Sequence, residues 1–541
     1  MRPTILTLTT ILALATATPA LADRYASPAG TTGAPCTLAA PCTIAKAISG
    51  TTVDDKVVWL FGGSYPDLAA QISTHTDGTV IAAQPGTGRP VIHLNTSSQL
   101  EIGYGSSISD VDIVSASTSG EPLHLSEPGA TGERLRVTGT SPGAMVKVGA
   151  IGTTATILRD SLVVNDSTNT NASAVAIECN GCHSHAQLAH VTAVSRTAPA
   201  LRAMADSNGN SVVTLDVANS IAMATGAGVP DIRAVATSGT GSDAAWINIG
   251  DSAYGAVTTS AREHVVIGGT HLTAAPQFVG AAAGDYTEAP ASPTIDAGAL
   301  SPLDAVGGHD ALGLPRTLGS ATDMGAFEAP AAPDVAGADP TEITGTGATL
   351  HGTITPNGAP ANWHFEIGTT TGYGTVVGGA ATGSAGFEPE LAGATVTSLQ
   401  PDTTYHYRLV AEHGYGSGAG EDRTFTTPSA PPVNHGAVFA GVRFAALKVR
   451  LRHGAVSPRL TCPSTARSAC TGTLRLRSGR RAAKSAFSIA PGRTVAVRIK
   501  LGAAARRALR RSKAPRLSAT VSAAAGGATA TTKATLRVRV R

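Results

Sequence analysis

Apolar positions in the first half of the chain come in short runs, and five of them align on their last apolar residue: Asp110-Val-Asp-Ile-Val114, Glu133-Arg-Leu-Arg-Val137, Asp160-Ser-Leu-Val-Val164, His190-Val-Thr-Ala-Val194 and Asn219-Ser-Ile-Ala-Met223. They recur at roughly 23 to 30 residues, a period that means stacked coils. Each unit is too short for a useful helix, and Gly, Ser, Thr, Asn and Asp fill the gaps, so the pattern predicts strands joined by turns. One coil cannot bury its own apolar face. Stacked coils share a narrow core, for which the alignment nominates Val114, Val137, Val164, Val194 and Met223. The expectation is a right-handed parallel β-helix. A β-sandwich built from the same strands is the alternative; it would need hairpins about 8 to 12 residues apart, which this stretch does not show.

Further along, the period shortens to two. After the linker Pro330-Ala-Ala-Pro333, the runs Thr349-Leu-His-Gly-Thr-Ile354, Trp363-His-Phe-Glu-Ile367 and Tyr405-His-Tyr-Arg-Leu-Val410 predict a sandwich over residues 332–428. From 436 to 541, Val449-Arg-Leu-Arg452, Leu474-Arg-Leu-Arg477, Val495-Ala-Val-Arg-Ile-Lys500 and Leu536-Arg-Val-Arg-Val-Arg541 put aliphatics on one face and cations on the other. This predicts a small β-sandwich with a basic exterior and a short helix from Ala503 to Arg511. The class is all-β throughout.

Three resemblances attach to these stretches. Tyr25-Ala-Ser-Pro-Ala-Gly, the spaced cysteines, a capped turn of helix at Thr43-Ile-Ala-Lys-Ala-Ile48 and the strand Asp55-Lys-Val-Val-Trp-Leu60 resemble the start of secreted right-handed β-helix proteins. The resemblance implies a pectate-lyase-like architecture over residues 23–329, with the helix plugging its first coil. Ser292-Pro-Thr-Ile-Asp296-Ala-Gly298, Asp310, Gly313, Arg316 and Asp323-Met-Gly-Ala-Phe-Glu328 resemble the terminal motif of the choice-of-anchor Q family. That implies a cap before a surface-attachment region, with Asp296, Arg316 and Asp323 pairing across its turns. Leu399-Gln-Pro-Asp-Thr-Thr-Tyr405 resembles the fibronectin type III family, with Tyr405 at its tyrosine corner and Trp363 at its core tryptophan. Such modules are spacers or binding platforms.

Composition sharpens the picture. With 541 residues, 61 glycines and only 4% aromatics, the chain is a turn-rich protein of several domains. The net charge of +3 hides an asymmetry: 24 of the 40 basic residues follow Val433 and no Asp or Glu follows Asp422, leaving 16 basic against 37 acidic residues before the tail. Residues 1–22 read as a secretory signal peptide, with Arg2, an apolar core from Ile5 to Ala17 and the cleavage site Ala20-Leu21-Ala22. No later run is long enough to span a membrane, so the expected location is secreted, extracellular or at the cell surface. The six cysteines form three close pairs, Cys36/Cys42, Cys179/Cys182 and Cys462/Cys470, read as disulfides of an oxidising compartment. Each would contribute about 2–3 kcal/mol by closing a short loop. Cys179-Asn-Gly-Cys-His183 also fits a haem-attachment pattern, and with His185 and His190 a zinc site. Its place in a Gly-containing turn of a solenoid favours the disulfide.

Candidate chemistry sits in the column of first residues, Asp110, Glu133, Asp160, His190 and Asn219. Such a column could take Ca²⁺, with Asp110 and Asp160 as ligands, or hold acid and base groups against a polysaccharide. It could equally be a ladder of side chains bonded to the turn backbone. The catalytic candidates are Asp110, Asp112, Arg136, Asp160 and His190, the residue types a uronate lyase needs; the signatures of polygalacturonase-like hydrolases are absent. The basic tail is read either as a patch for anionic polymers or as a solubilising surface. The leading functional expectation is a non-catalytic protein binding carbohydrate or cell-envelope polymers. The alternative is a polysaccharide lyase or glycoside hydrolase acting in a groove along the β-helix.

Overall fold

Successive strands of the repeat lie in parallel register, one rung on the next, so that each coil satisfies the backbone of its neighbour. The computed structural model describes residues 23–68, 70–206, 210–236, 243–259, 263–299, 308–430 and 439–540. The expected signal peptide and residue 436, the expected start of the last domain, lie outside the described residues. Two compact units are present, Met1–Ser429 and Ala430–Arg541.

The first unit begins as a right-handed parallel β-helix with three faces. Inward columns run through the rungs: Val58–Ile81–Ile108 on the first face, Ile92–Ile113–Val137–Val163–Ala193 on the second, and Leu100–Leu123–Val146–Val175–Leu201–Ile232 on the third. Nearly all are fully buried in one continuous core. The helix Ile44–Ser49 plugs the first coil, capped by Thr43 and buried through Ile44, Ala47 and Ile48. Arg24 fastens it by donating to Ala47 O at 2.8 Å while pairing with Asp55 at 3.1 Å.

The register corrects the nominated core. Val137 faces inward opposite Ile113, but Val114 pairs with Thr138, and Val164, Val194 and Met223 share the neighbouring, outward column. With a side-chain period of two, a slip of one residue exchanges the faces. The alignment on the last apolar residue had slipped the second repeat by one.

Outward Val164 and Val194 are nevertheless buried, whereas Val114 is exposed. A strap, residues 278–299 and 308–329, runs back over that flank and buries Leu162, Val164 and Val194 beneath Tyr286, Ala311, Ala326 and Phe327. The motif expected to cap the β-helix thus packs along its side.

A fibronectin-like β-sandwich follows. Asp334–Thr344, Gly347–Thr355 and Glu390–Thr397 form one sheet; Asn362–Gly368, Thr375–Ala381, Thr404–His413, Gly416–Ala419 and Arg423–Thr426 form the other. The Tyr405 hydroxyl accepts from Gln400 N at 2.9 Å, five residues upstream, as a tyrosine corner does. Phe365 is fully buried, and Trp363 packs beside it, partly buried. Tyr415 donates to Glu288 O at 2.8 Å, tying the sandwich to the strap.

The second unit is a five-stranded sheet, in the order Lys448–Leu451, Ala528–Val540, Arg516–Ala525, Cys470–Ser478, Arg481–Ile489, with smaller sheets and the helix Ala503–Arg511. Leu474, Leu476, Leu517, Val521 and Leu536 fill its core. Among the described residues no helix is long and apolar enough to cross a membrane.

Candidate functional site

The corner between the first and second faces is the column expected to carry chemistry. Asp110, Arg134, Asp160, His190, Asn219 and Asp251 all adopt left-handed backbone there, with φ between 39° and 60°. Such a residue bends the chain within one position, and Asp and Asn tolerate the conformation best among residues with a side chain. Arg134, and not Glu133, holds the second place, the same one-residue slip as in the core. Behind the column Ser161, Ser220 and Ser252 form an inner ladder. Ser161 Oγ accepts from Leu135 N at 3.0 Å and Ser220 Oγ from Val191 N at 3.0 Å, so the corner's amides are satisfied from the next rung.

Each outward side chain of the column has a partner. Arg134 clamps Asp110 with two bonds of 2.7 and 2.8 Å, and its hydrogen bonds and charge outweigh burial to hold that carboxyl below its ordinary range. Asp112 and Arg136, one strand position further, pair at 2.8 Å, and Arg89 reaches the same carboxylate. Asp160 is buried against Arg316 of the strap at 2.7 Å. His190 Nδ1 lies 3.1 Å from Asp323 O, and Asn219 exchanges two hydrogen bonds with the backbone of Ala299. At the Asp160 rung, the oxygen a Ca²⁺ ion would need is taken by a guanidinium. Among the described residues no three His, Cys, Asp or Glu side chains converge as metal ligands. Cys36–Cys42, Cys179–Cys182 and Cys462–Cys470 are joined as disulfides; Cys179 is buried in the core, and His185 pairs with Asp216 at 2.7 Å.

The strap brings its own carboxylates into this contact. Asp310 accepts from Leu314 N and Glu328 N, Asp323 from Asp296 N and Ala329 N, and Glu328 from Asp323 N, so they cap the strap's turns. Of the three residues expected to pair within the motif, Asp296 and Asp323 meet, while Arg316 reaches across to the β-helix. Burial pushes Glu288 up to about 7, Asp323 to about 6 and Glu328 to about 8.

The third face carries what the sequence reading missed. Its outward positions place Glu101, His124 and Lys147 on successive rungs, then Ala176, Arg202 and Arg233. Glu101 accepts from Ser73 Oγ at 2.7 Å and Gln71 Nε2 at 2.8 Å. Glu178 bridges Lys147, at 3.5 Å, and Arg202. Burial, then the neighbouring Lys147, lowers His124 below the usual histidine range. The signal was present: Leu100-Glu-Ile102, Leu123-His-Leu125 and Val146-Lys-Val148 are apolar–polar–apolar triplets 23 residues apart. Rungs stack at about 4.8 Å, so this face is a straight row of polar groups at a constant repeat.

No protein-family model matches the chain, and no curated protein matches it. Among solved structures, the sensor domain of the anti-sigma factor RsgI4 of Pseudobacteroides cellulosolvens is similar at 22% identity over 18% of this chain and 96% of its own, with a TM-score of 0.16. Pectate lyase Pel9A is similar at 12% identity over 57% of this chain and 96% of its own, with a TM-score of 0.30. The chicken CNTN1 FN1–FN3 domains are similar at 14% identity over 39% of this chain and 67% of theirs, with a TM-score of 0.14. These likenesses concern fold alone; the site rests on the geometry above.

Proposed function

We propose that the chain is a secreted or surface-associated, non-catalytic protein that binds carbohydrate or other cell-envelope polymers. The observation that carries this reading is the third face, where Glu101, His124 and Lys147 stand on successive rungs and, one rung past Ala176, Arg202 and Arg233 continue the column in register, a surface suited to a periodic ligand. The left-handed column has a different part: its Asp160, His190 and Asn219 hold the strap, which fits the choice-of-anchor Q resemblance of that segment. The fibronectin type III module spaces the β-helix, and the basic unit holds anionic envelope polymer. Binding to immobilised polygalacturonate and to neutral glucans tests the reading. Arg233→Ala, which removes the exposed arginine of that face, should weaken binding to the acidic polymer about tenfold, while Arg136→Ala, on another face, leaves it unchanged. Equal binding by all variants would refute the assignment to the third face.

A second reading has one observation in its favour. A histidine held neutral between Glu101 and Lys147 is the kind of group that removes a proton next to a uronate carboxyl, so a lyase would place its base at His124. Unsaturated products formed by the wild type and lost in His124→Ala would decide for it.

A further inference from the structure

The outward face of the five-stranded sheet in the second unit sets cations directly opposite one another. Arg537 lies between Lys448 and Arg516, Arg539 opposite Arg450, and Arg475 opposite Lys484. All seven are exposed. Like charges in directly opposed cross-strand positions repel, and the unit has no Asp or Glu side chain to relieve them, since none follows Asp422. Solubility requires net charge and does not require it in register on one face. The arrangement makes sense when something anionic lies across the strands.

We propose that this sheet face is the binding surface for a flexible polyol phosphodiester of the cell envelope. The inference rests on the reading of the basic unit as a holder of anionic polymer, and it names the face and the ligand chemistry. Opposed residues whose Cα atoms are about 5 Å apart can each bring a cation to one of the two free oxygens of a phosphodiester, whereas the coplanar oxygens of a carboxylate match a single guanidinium fork. None of the outward positions is aromatic: along Arg516–Ala525 they are Arg516, Ser518, Thr520, Ser522 and Ala524. The face therefore offers no platform on which nucleic-acid bases could stack, which favours a phosphodiester chain without bases.

The test uses the full chain on immobilised poly(glycerol phosphate) across a salt series. A triple variant, Lys448→Gln/Arg516→Gln/Arg537→Gln, is compared with a control on the helix, Arg507→Gln/Arg510→Gln/Arg511→Gln. The sheet variant should bind at least tenfold more weakly, with the salt slope reduced by roughly 2, at about 0.7 for each phosphate no longer neutralised. It should melt no lower than the wild type. The helix control should bind as the wild type does. Loss of binding in the helix variant alone would overturn the assignment to the sheet while leaving the general reading intact. Wild-type protein that passes poly(glycerol phosphate), heparin, polygalacturonate and single-stranded DNA at low salt would overturn both. Tighter binding to polygalacturonate or to single-stranded DNA than to poly(glycerol phosphate) would overturn the phosphodiester assignment.

Discussion

Arg316 lies in a bend of the strap and Arg537 on a strand of the second unit, and their surroundings are opposite. Arg316 is buried, bonded to Asp160 and to Ala326 O, with Glu328 within 3.9 Å. Arg537 is exposed between two other cations. The contrast extends to the units around them. In the β-helix unit Arg24, Arg89, Arg134, Arg136, Arg159 and Arg202 each meet a carboxylate; in the second unit there is no carboxylate side chain to meet. Charge that is answered inside the fold sets geometry, and charge left unanswered in register points to a partner.

The comparison can be broken first at Arg316. Arg316→Ala leaves Asp160 buried without its partner and should cost about 3–5 kcal/mol in urea unfolding of the β-helix unit. Replacing both, in Arg316→Met/Asp160→Asn, removes the unpaired charge, keeps a residue that tolerates the left-handed backbone and should restore part of that loss. Asn219→Ala removes two hydrogen bonds to the strap and puts a less tolerant residue at a left-handed position, for about 1–3 kcal/mol.

A pH series sharpens the same contrast. Glu288, Asp323 and Glu328 hold their protons more tightly folded than unfolded, so their contribution to stability is complete below about pH 4 and is lost as pH rises to about 8. Asp110, held below its ordinary range, acts the other way and only at lower pH, outside this window. The melting temperature of the β-helix unit should fall by a few degrees between pH 5 and 8.5, and Glu328→Gln should flatten that dependence. The smallest effect belongs to the second unit: neutralising Lys448, Arg516 and Arg537 should change its stability by no more than about 0.5 kcal/mol.

Much of this was legible in the chain. The period of the runs gave the stacked coils, Thr43 the plug, Leu399 to Tyr405 the sandwich corner, and the alternation of Arg with Leu or Val the basic sheet. The phase of the repeats was not, because Val114, Val164 and Val194 are as apolar as Ile113 and Val163 beside them. The outer column is apolar at most rungs, Val164 and Val194 beneath the strap, but holds Thr138 in the second repeat, so an alignment on the last apolar residue falls on the inward Val137 there. The strap's docking depends on bonds between residues as far apart as Asp160 and Arg316, and no local pattern records those. The third-face row was readable in its triplets but was overshadowed by the longer runs of the second face.

The most direct test of the account is chain length. The full protein, held with polygalacturonate, neutral glucans and poly(glycerol phosphate), with and without Ca²⁺, should bind polymer and leave every chain as long as it began. New reducing ends or unsaturated ends that vanish in His124→Ala would contradict it.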